Sequence, residues 1–205
     1  MAEMIDTIYT IGYAGYGIDA FLEELHRHGV SVLLDVRSSP YSGFHQDYNK
    51  EILERTLRSR HIYYRNYARS FGARQPERSL YPRGHLDFEL FAASSDFQEG
   101  RRKVENSMEQ GYCFALMCAE IEPIDCHRAI LVARAFAEHG YEVLHLRPGK
   151  PPFLHQDLET QLLDLYFPDR DQIVLGQPVQ DEKELLKEAY RLRNEKIGYR
   201  IQEDA

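Results

Sequence analysis

The sequence predicts an α/β fold, a mainly parallel sheet of about five strands with helices on both faces. Three observations carry that expectation. Strand-like and helix-like segments alternate along nearly the whole chain. Two strand-like segments, 30–36 and 112–118, are almost unbroken apolar runs, the pattern of strands covered on both faces rather than one. Polar or glycine-bearing turns follow these strands, at the carboxyl ends where such sheets place their ligands.

Taken in order, residues 6–11 read as a first strand, rich in β-branched and aromatic side chains. Gly12, Gly15 and Gly17 follow, interleaved with Tyr13 and Tyr16. That turn reads first as a plain βα turn and second as a phosphate loop, because the dinucleotide fingerprint is not met. A helix over 19–28 presents Phe21, Leu22 and Leu25, and Gly29 stops it. The second strand, 30–36, carries Asp35 near its end and leads through Arg37 to Pro40. Asn49 is placed to cap a helix reaching residue 60, with Ile52, Leu53, Thr56 and Leu57 inward. A short strand over 62–64 precedes an irregular stretch, 66–86, of a length more often functional than connecting.

Helix resumes over 87–110 with a break near Ser94-Ser95-Asp96. After the apolar strand 112–118, a helix over 126–139 has little polar face and should be well buried. A strand over 141–146 ends at Pro148, Pro151 and Pro152, and an amphipathic helix covers 153–167. One α/β domain is therefore expected over 1–167. Residues 168–205 are left as a connector (169–180) and a charged C-terminal helix. Its thin apolar stripe of Leu185, Leu186, Ala189, Tyr190 and Ile197 suits a docked surface helix.

At 205 residues and 43% hydrophobic content the chain can bury a sizeable core. No apolar run approaches the roughly 20 residues of a membrane span. The first nine residues carry Glu3 and Asp6 and lack a basic start with an apolar block. No signal peptide is expected, so the protein should be cytoplasmic with its three cysteines reduced. The net charge of -8 argues against a surface built for duplex DNA. Residues 51–83 are an exception, with eight arginines against three glutamates, interleaved with tyrosines and Phe71. Arginine grips phosphate and aromatics stack on bases, which makes Arg65, Arg69, Arg74 and Tyr67 a candidate substrate or nucleic-acid loop. The plain alternative is a solvated loop paired with the acidic remainder of the chain.

The densest chemistry lies after the strand 112–118. Cys118, Glu120, Cys126, His127 and Arg128 fall within eleven residues. Asp125 is placed to cap the next helix by accepting from the amides of His127 or Arg128. Cys126 then sits in the first turn, where the helix amides and Arg128 favour a thiolate. Cys118, Glu120, Cys126, His127 and Asp35 are the catalytic candidates, and Arg37, Arg128 and Gly12 the anion-binding ones. Each has a bland alternative: buried cysteine is a common core residue, as expected for Cys113, and buried carboxylates commonly sit in structural ion pairs. Cys118, Cys126 and His127 offer three soft metal donors, but their spacing matches no zinc pattern. Adjacent Cys126-His127 makes joint chelation awkward, and Pro123 is followed by one cysteine where the zinc deaminase signature has two. No metal or other cofactor is expected.

Thr10-Ile11-Gly12-Tyr13, Asp35-Val36-Arg37 with Pro40, and Met117-Cys118-Ala119-Glu120 followed by Cys126-His127-Arg128 together resemble the domain of unknown function 488 family, over residues 5–150. The resemblance implies an α/β fold and a site, not a reaction. The layering should be Rossmann-like or rhodanese-like. A strand-end cysteine facing a helix start is similar in layout to rhodaneses and cysteine phosphatases, although Arg128 lies ten residues after Cys118 rather than six. The function expected is an enzyme acting on a phosphate-bearing substrate, a nucleotide or nucleic acid, at the strand carboxyl ends. The alternatives are a non-catalytic module for single-stranded nucleic acid and a rhodanese-like sulfur carrier.

Overall fold

The computed structural model describes residues 6–170 and 181–201. Strands β1 (Thr7–Gly12), β2 (Val32–Asp35), β3 (Tyr63–Asn66), β4 (Phe114–Cys118), β5 (Glu142–Arg147) and β6 (Lys150–Leu154) form one sheet in the order β3-β2-β4-β1-β5-β6. The first five are parallel to their neighbours, and β6 returns antiparallel beside β5. The sixth strand departs from the expectation. Pro151 and Pro152, read as a terminator, lie within β6, on the sheet edge, where a proline costs the ladder little.

Helices α1 (Ile18–Arg27) and α2 (Lys50–Arg58) cover one face. The other face is covered by α3 (Ala68–Phe71), α4 (Phe88–Ala92), α5 (Ser95–Met108), a π-helix (Arg128–Ala133) running into α6 (Arg134–Ala137), α7 (His155–Tyr166) and α8 (Glu182–Ile197). Side chains on a strand alternate between faces. Accordingly, Ala115 and Met117 of β4 join Ile11, Leu33 and Leu57 in one core. Phe114, Leu116 and Cys118 join Ile8, Leu34 and the π-helix in the other. This alternation aims Cys118 at the segment that starts with Cys126.

Several local expectations change. On α2 only Leu53 and Leu57 are buried, while Ile52 is 41% exposed and Thr56 half-buried; a short helix on a sheet edge buries a single i, i+4 ridge. Asn49 precedes α2 but does not cap it. Its Oδ1 accepts from the Ser42 amide at 2.6 Å and braces the loop before it. The break near residue 95 is real: Ser94 caps α5 through the Phe97 amide at 3.3 Å. The irregular stretch holds α3 and a 3-10 turn at Arg78–Leu80. Helix α8 buries Ala189 and Tyr190 in the main core. Its Asn194 accepts from the Phe88 amide and donates to Leu86 O. The expected connector lies outside the described residues except for Asp169 and Arg170, as do 1–5 and 202–205 at the ends. No helix among the described residues is long and apolar enough to cross a membrane.

The chain leaves β2 toward β3 and leaves β4 toward β5, on opposite sides of the β2–β4 pair. The crevice beyond these two strand ends is therefore a topological switch point, where open α/β sheets bind ligands.

A buried polar chain ties the far side together. Thr10 Oγ1 meets His145 Nδ1 at 2.8 Å, His145 Nε2 meets His155 Nδ1 at 3.0 Å, and His155 Nε2 meets Tyr190 OH at 2.9 Å. Tyr190 then donates to Glu159 at 3.0 Å. Burial, then His155, Arg128 and Arg147, hold His145 well below the usual imidazole value. Burial and Arg134 hold His155 down to about 4. Both rings are neutral in the folded protein and take up protons on unfolding near the ordinary value. Stability should therefore be full above about pH 6.5 and fall as pH drops toward 4, by on the order of 3 kcal/mol for His155 alone. Urea unfolding midpoints between pH 7.5 and 4.5 check this. His155→Gln should flatten the slope, and a wild-type midpoint independent of pH over that range contradicts it.

Candidate functional site

The site begins where β1 and β4 end side by side, Gly12 in register with Cys118. A Cβ on Gly12 would lie 1.8 Å from Glu120 O. The absent side chain makes room for the chain's own backbone, not for a phosphate, which corrects the expected anion role of Gly12. The ladder continues past the strands, Tyr13 N to Cys118 O at 3.2 Å and Ala14 N to Ala119 O at 2.9 Å. Glu120 is thereby held beside the β1 exit.

Arg128 fixes the rest of the loop. Its guanidinium is fully buried and donates to Glu120 O at 2.5 Å and Ile121 O at 3.0 Å. Its two Nη groups are thus turned to the loop carbonyls, while its Nε is buried without a hydrogen-bond partner among the described residues. Arg37 is similarly committed. Asp35, fully buried, accepts from the Arg37 amide at 3.1 Å, Nε at 2.8 Å and Nη2 at 2.6 Å, and from Tyr64 OH at 2.7 Å. Arg37 also donates to Tyr13 OH and Tyr48 O. Burial opposes the Arg37 charge, and the Asp35 carboxylate outweighs it and raises the guanidinium pKa. The pair is closed and shapes the β2 exit; breaking such a buried pair typically costs about 3–5 kcal/mol.

That exit places Val36 O at 2.9 Å from His127 Nε2. The other ring nitrogen, Nδ1, faces both sulfurs, 3.8 Å from Cys118 and 4.0 Å from Cys126. The expected Asp125 cap does not form. Asp125 lies in a 3-10 turn, Pro123–Asp125, and pairs with Arg193 of α8. Cys126 occupies the capping position instead, with extended backbone (φ -131, ψ 135) and its sulfur accepting from the Arg128 amide at 3.4 Å. Glu120 is exposed as a residue, yet its carboxyl turns inward to Cys126 Sγ at 2.9 Å.

The charges of this cluster are coupled. Burial alone would raise the Cys126 thiol, but Cys118, Arg128 and His127 pull it well below its ordinary value. Cys118, sharing its proton with Cys126 and also buried, is pushed well up. Burial and then Cys126 raise Glu120. Burial would lower His127, but Cys126 raises it above the usual imidazole value. Cys126 is therefore the more acidic of the two sulfurs. Cys118 Sγ, Cys126 Sγ and a His127 ring nitrogen lie within 4.8 Å of one another and could hold a metal.

Cys118, Glu120 and His127 line a cavity of about 370 Å³ at the switch point, with Tyr13, Ser38, Arg74 and Tyr199 around it. Two larger hollows, about 450 and 420 Å³, flank the edge strand β3 near Tyr63 and Arg65. Neither contains the cluster, so the smaller cavity is the better candidate site.

The candidate arginine loop does not act as one surface. Arg69 pairs with Asp96, Arg65 lies over the Tyr63 ring on the sheet edge, and Tyr67 stacks on Phe71 against the core. Only Arg74 of that group reaches the cavity. Sequence reasoning missed Ser38, Ser39, Tyr41 and Tyr199, which also line it. The serines directly follow Arg37 and were a legible polar signal, whereas nothing local marks Tyr199, brought in by the docking of α8.

Residues 17–135 match the family described as "Domain of unknown function DUF488", more than half of the chain, and the chain belongs to that family. No curated protein and no solved structure matches it.

The Gly12 contact gives a direct check. Gly12→Ala forces a methyl into backbone and should destabilise by about 1–3 kcal/mol or more. Gly17→Ala, with open space around its Cβ position, should cost much less. Equal denaturant midpoints for the two variants would contradict the close approach.

Proposed function

We propose that this member of the DUF488 family is an enzyme acting on a small phosphate-bearing substrate, of the nucleotide class, in the crevice beyond β2 and β4. The observation that carries the reading is a coupled Cys118–Glu120–Cys126–His127 cluster opening on the same cavity as an uncommitted guanidinium. Arg74 is exposed, lies 4.6 Å over the Tyr199 ring, and has no carboxylate partner among the described residues. Its amide is held by Ser38 Oγ at 2.8 Å, so the loop that presents it is anchored to the β2 exit.

Arginine beside an aromatic ring suits a phosphate attached to a flat base. The serine hydroxyls add donors of the right kind. In this reading Arg74 binds the anion, Glu120 moves protons, and Cys118, Cys126 and His127 form the reacting centre. Asp35, Arg37 and Arg128 position these groups. The scattering of the other arginines favours a small ligand over a long nucleic-acid strand. Cys118 and Cys126 are 3% and 1% exposed, which leaves little access for a sulfur-carrying partner. A cytoplasmic setting, where nucleotides are plentiful and thiols stay reduced, belongs to the same reading.

A thermal-shift screen of nucleoside mono- and diphosphates, against the parent nucleosides and inorganic phosphate, tests it. The nucleotides should raise Tm and the nucleosides should not. Arg74→Ala should weaken binding about tenfold or more, the worth of a charge-assisted contact. A full panel without any phosphate-dependent shift sinks the reading.

A further inference from the structure

We propose that Cys118, Cys126 and His127 together bind a zinc-class divalent cation whose fourth position opens on the cavity beside Glu120. The inference rests on the functional reading above, because it assigns the chemistry of that same cluster. Two thiolates, one imidazole and an open position form a donor set characteristic of catalytic rather than structural zinc.

The geometry supports the set at each ligand. A tetrahedral ion with zinc-like bond lengths separates its ligand atoms by roughly 3.6–3.8 Å. The two sulfur–Nδ1 separations are 3.8 and 4.0 Å, and all three ligand atoms lie within 4.8 Å. His127 Nε2 is bonded to Val36 O. That fixes the ring with its Nδ1 lone pair toward the sulfurs, the outer-shell arrangement typical of metal-bound histidine. The Arg128 amide reaches Cys126 Sγ, a contact that stabilises a metal thiolate. The sequence objection, that adjacency makes joint chelation by Cys126 and His127 awkward, is met by backbone geometry. Cys126 is extended and His127 is helical (φ -59, ψ -24), and the change of conformation brings both side chains to one side. Cys118 ends β4, and Cys126 and His127 directly precede the π-helix.

Glu120 completes the assignment. Its carboxyl is 2.9 Å from Cys126 Sγ and lines the cavity with Cys118 and His127. A water in the fourth position can give one proton to Glu120, leaving hydroxide to attack the electrophilic centre of the bound substrate. The bond to the leaving group breaks, and that group departs with the proton returned by Glu120. The net change is hydrolysis, with one water consumed and no oxidant or reductant required.

The test is metal content by elemental analysis of the full-length chain purified without a metal-affinity step, with circular dichroism to confirm folding. About one zinc per chain is expected. Cys118→Ser, Cys126→Ser and His127→Ala should each lose most of it, while Cys113→Ser, Glu120→Gln and Arg74→Ala should retain it. Chelator-treated wild-type chain titrated with cobalt(II) should show thiolate-to-cobalt charge transfer and the visible bands of a tetrahedral site. A folded wild type that takes up neither zinc nor cobalt overturns the proposal, as does equal uptake by a chain carrying Cys118→Ser, Cys126→Ser and His127→Ala together. Arg74→Ala separates the two readings. Metal retained with no nucleotide response in any variant or wild type would sink the substrate assignment alone. A phosphate-dependent Tm shift in metal-free protein lacking cobalt uptake would sink the metal alone.

Discussion

The buried guanidinium of Arg128 is the constraint on which the site depends. A cation removed from water needs its donors satisfied and its charge balanced. Two of its groups go to the carbonyls of Glu120 and Ile121, which curls the β4 exit back over its own helix. No carboxylate pairs with it among the described residues. The neighbouring Cys126 sulfur is placed to supply compensating charge: burial would raise its thiol, but Cys118, Arg128 and His127 pull it down. The clamp that shapes the loop therefore also favours a thiolate beside it. Gly12 is the second half of the clamp, since the β1 exit can lie against Glu120 O only without a side chain.

The same logic explains why arginine in a promising motif is a poor guide to anion binding when it is buried. Arg37 and Arg128 lie on the two motifs that stand out in the sequence, and both turn their Nη groups to the protein itself. Arg74 has no motif and sits in an irregular stretch, but it is exposed and uncommitted at the cavity. A guanidinium buried at the end of a strand must be paired to be tolerated at all, so availability for a ligand belongs to the rim.

Much of the architecture was legible because it follows from burial on two sides. The unbroken runs at 30–36 and 112–118 became central strands, and the glycine and polar turns after them converged on one edge. That convergence of Gly12, Asp35 and Cys118 required only a parallel sheet. What failed depended on partners distant in sequence or on backbone detail. Pro151 and Pro152 were read as a stop because nothing local shows that β6 would lie on an edge. Asp125 looked like a helix cap until Arg193 of α8 claimed its carboxylate. Tyr199 enters the cavity because Asn194 fastens α8 to the start of α4 and the Leu86 amide donates to Tyr199 O at 2.8 Å.

The length of the β4–helix loop separates this site from the phosphate cradles its layout suggests. In a cradle the short loop aims successive amides at an anion, and arginine closes the ring. Here ten residues separate Cys118 from Arg128, and the loop's carbonyls rather than its amides turn toward the guanidinium. A loop folded around a cation exposes the opposite polarity. It presents a carboxyl, two sulfurs and an imidazole nitrogen, all electron-pair donors, to one point beside the cavity. Such a surface suits a soft cation rather than a phosphate, while the exposed guanidinium of Arg74 stands apart at the rim. Division of labour between a donor-rich inner wall and a cationic rim is what the proposed metal-assisted reaction on an anionic substrate would require.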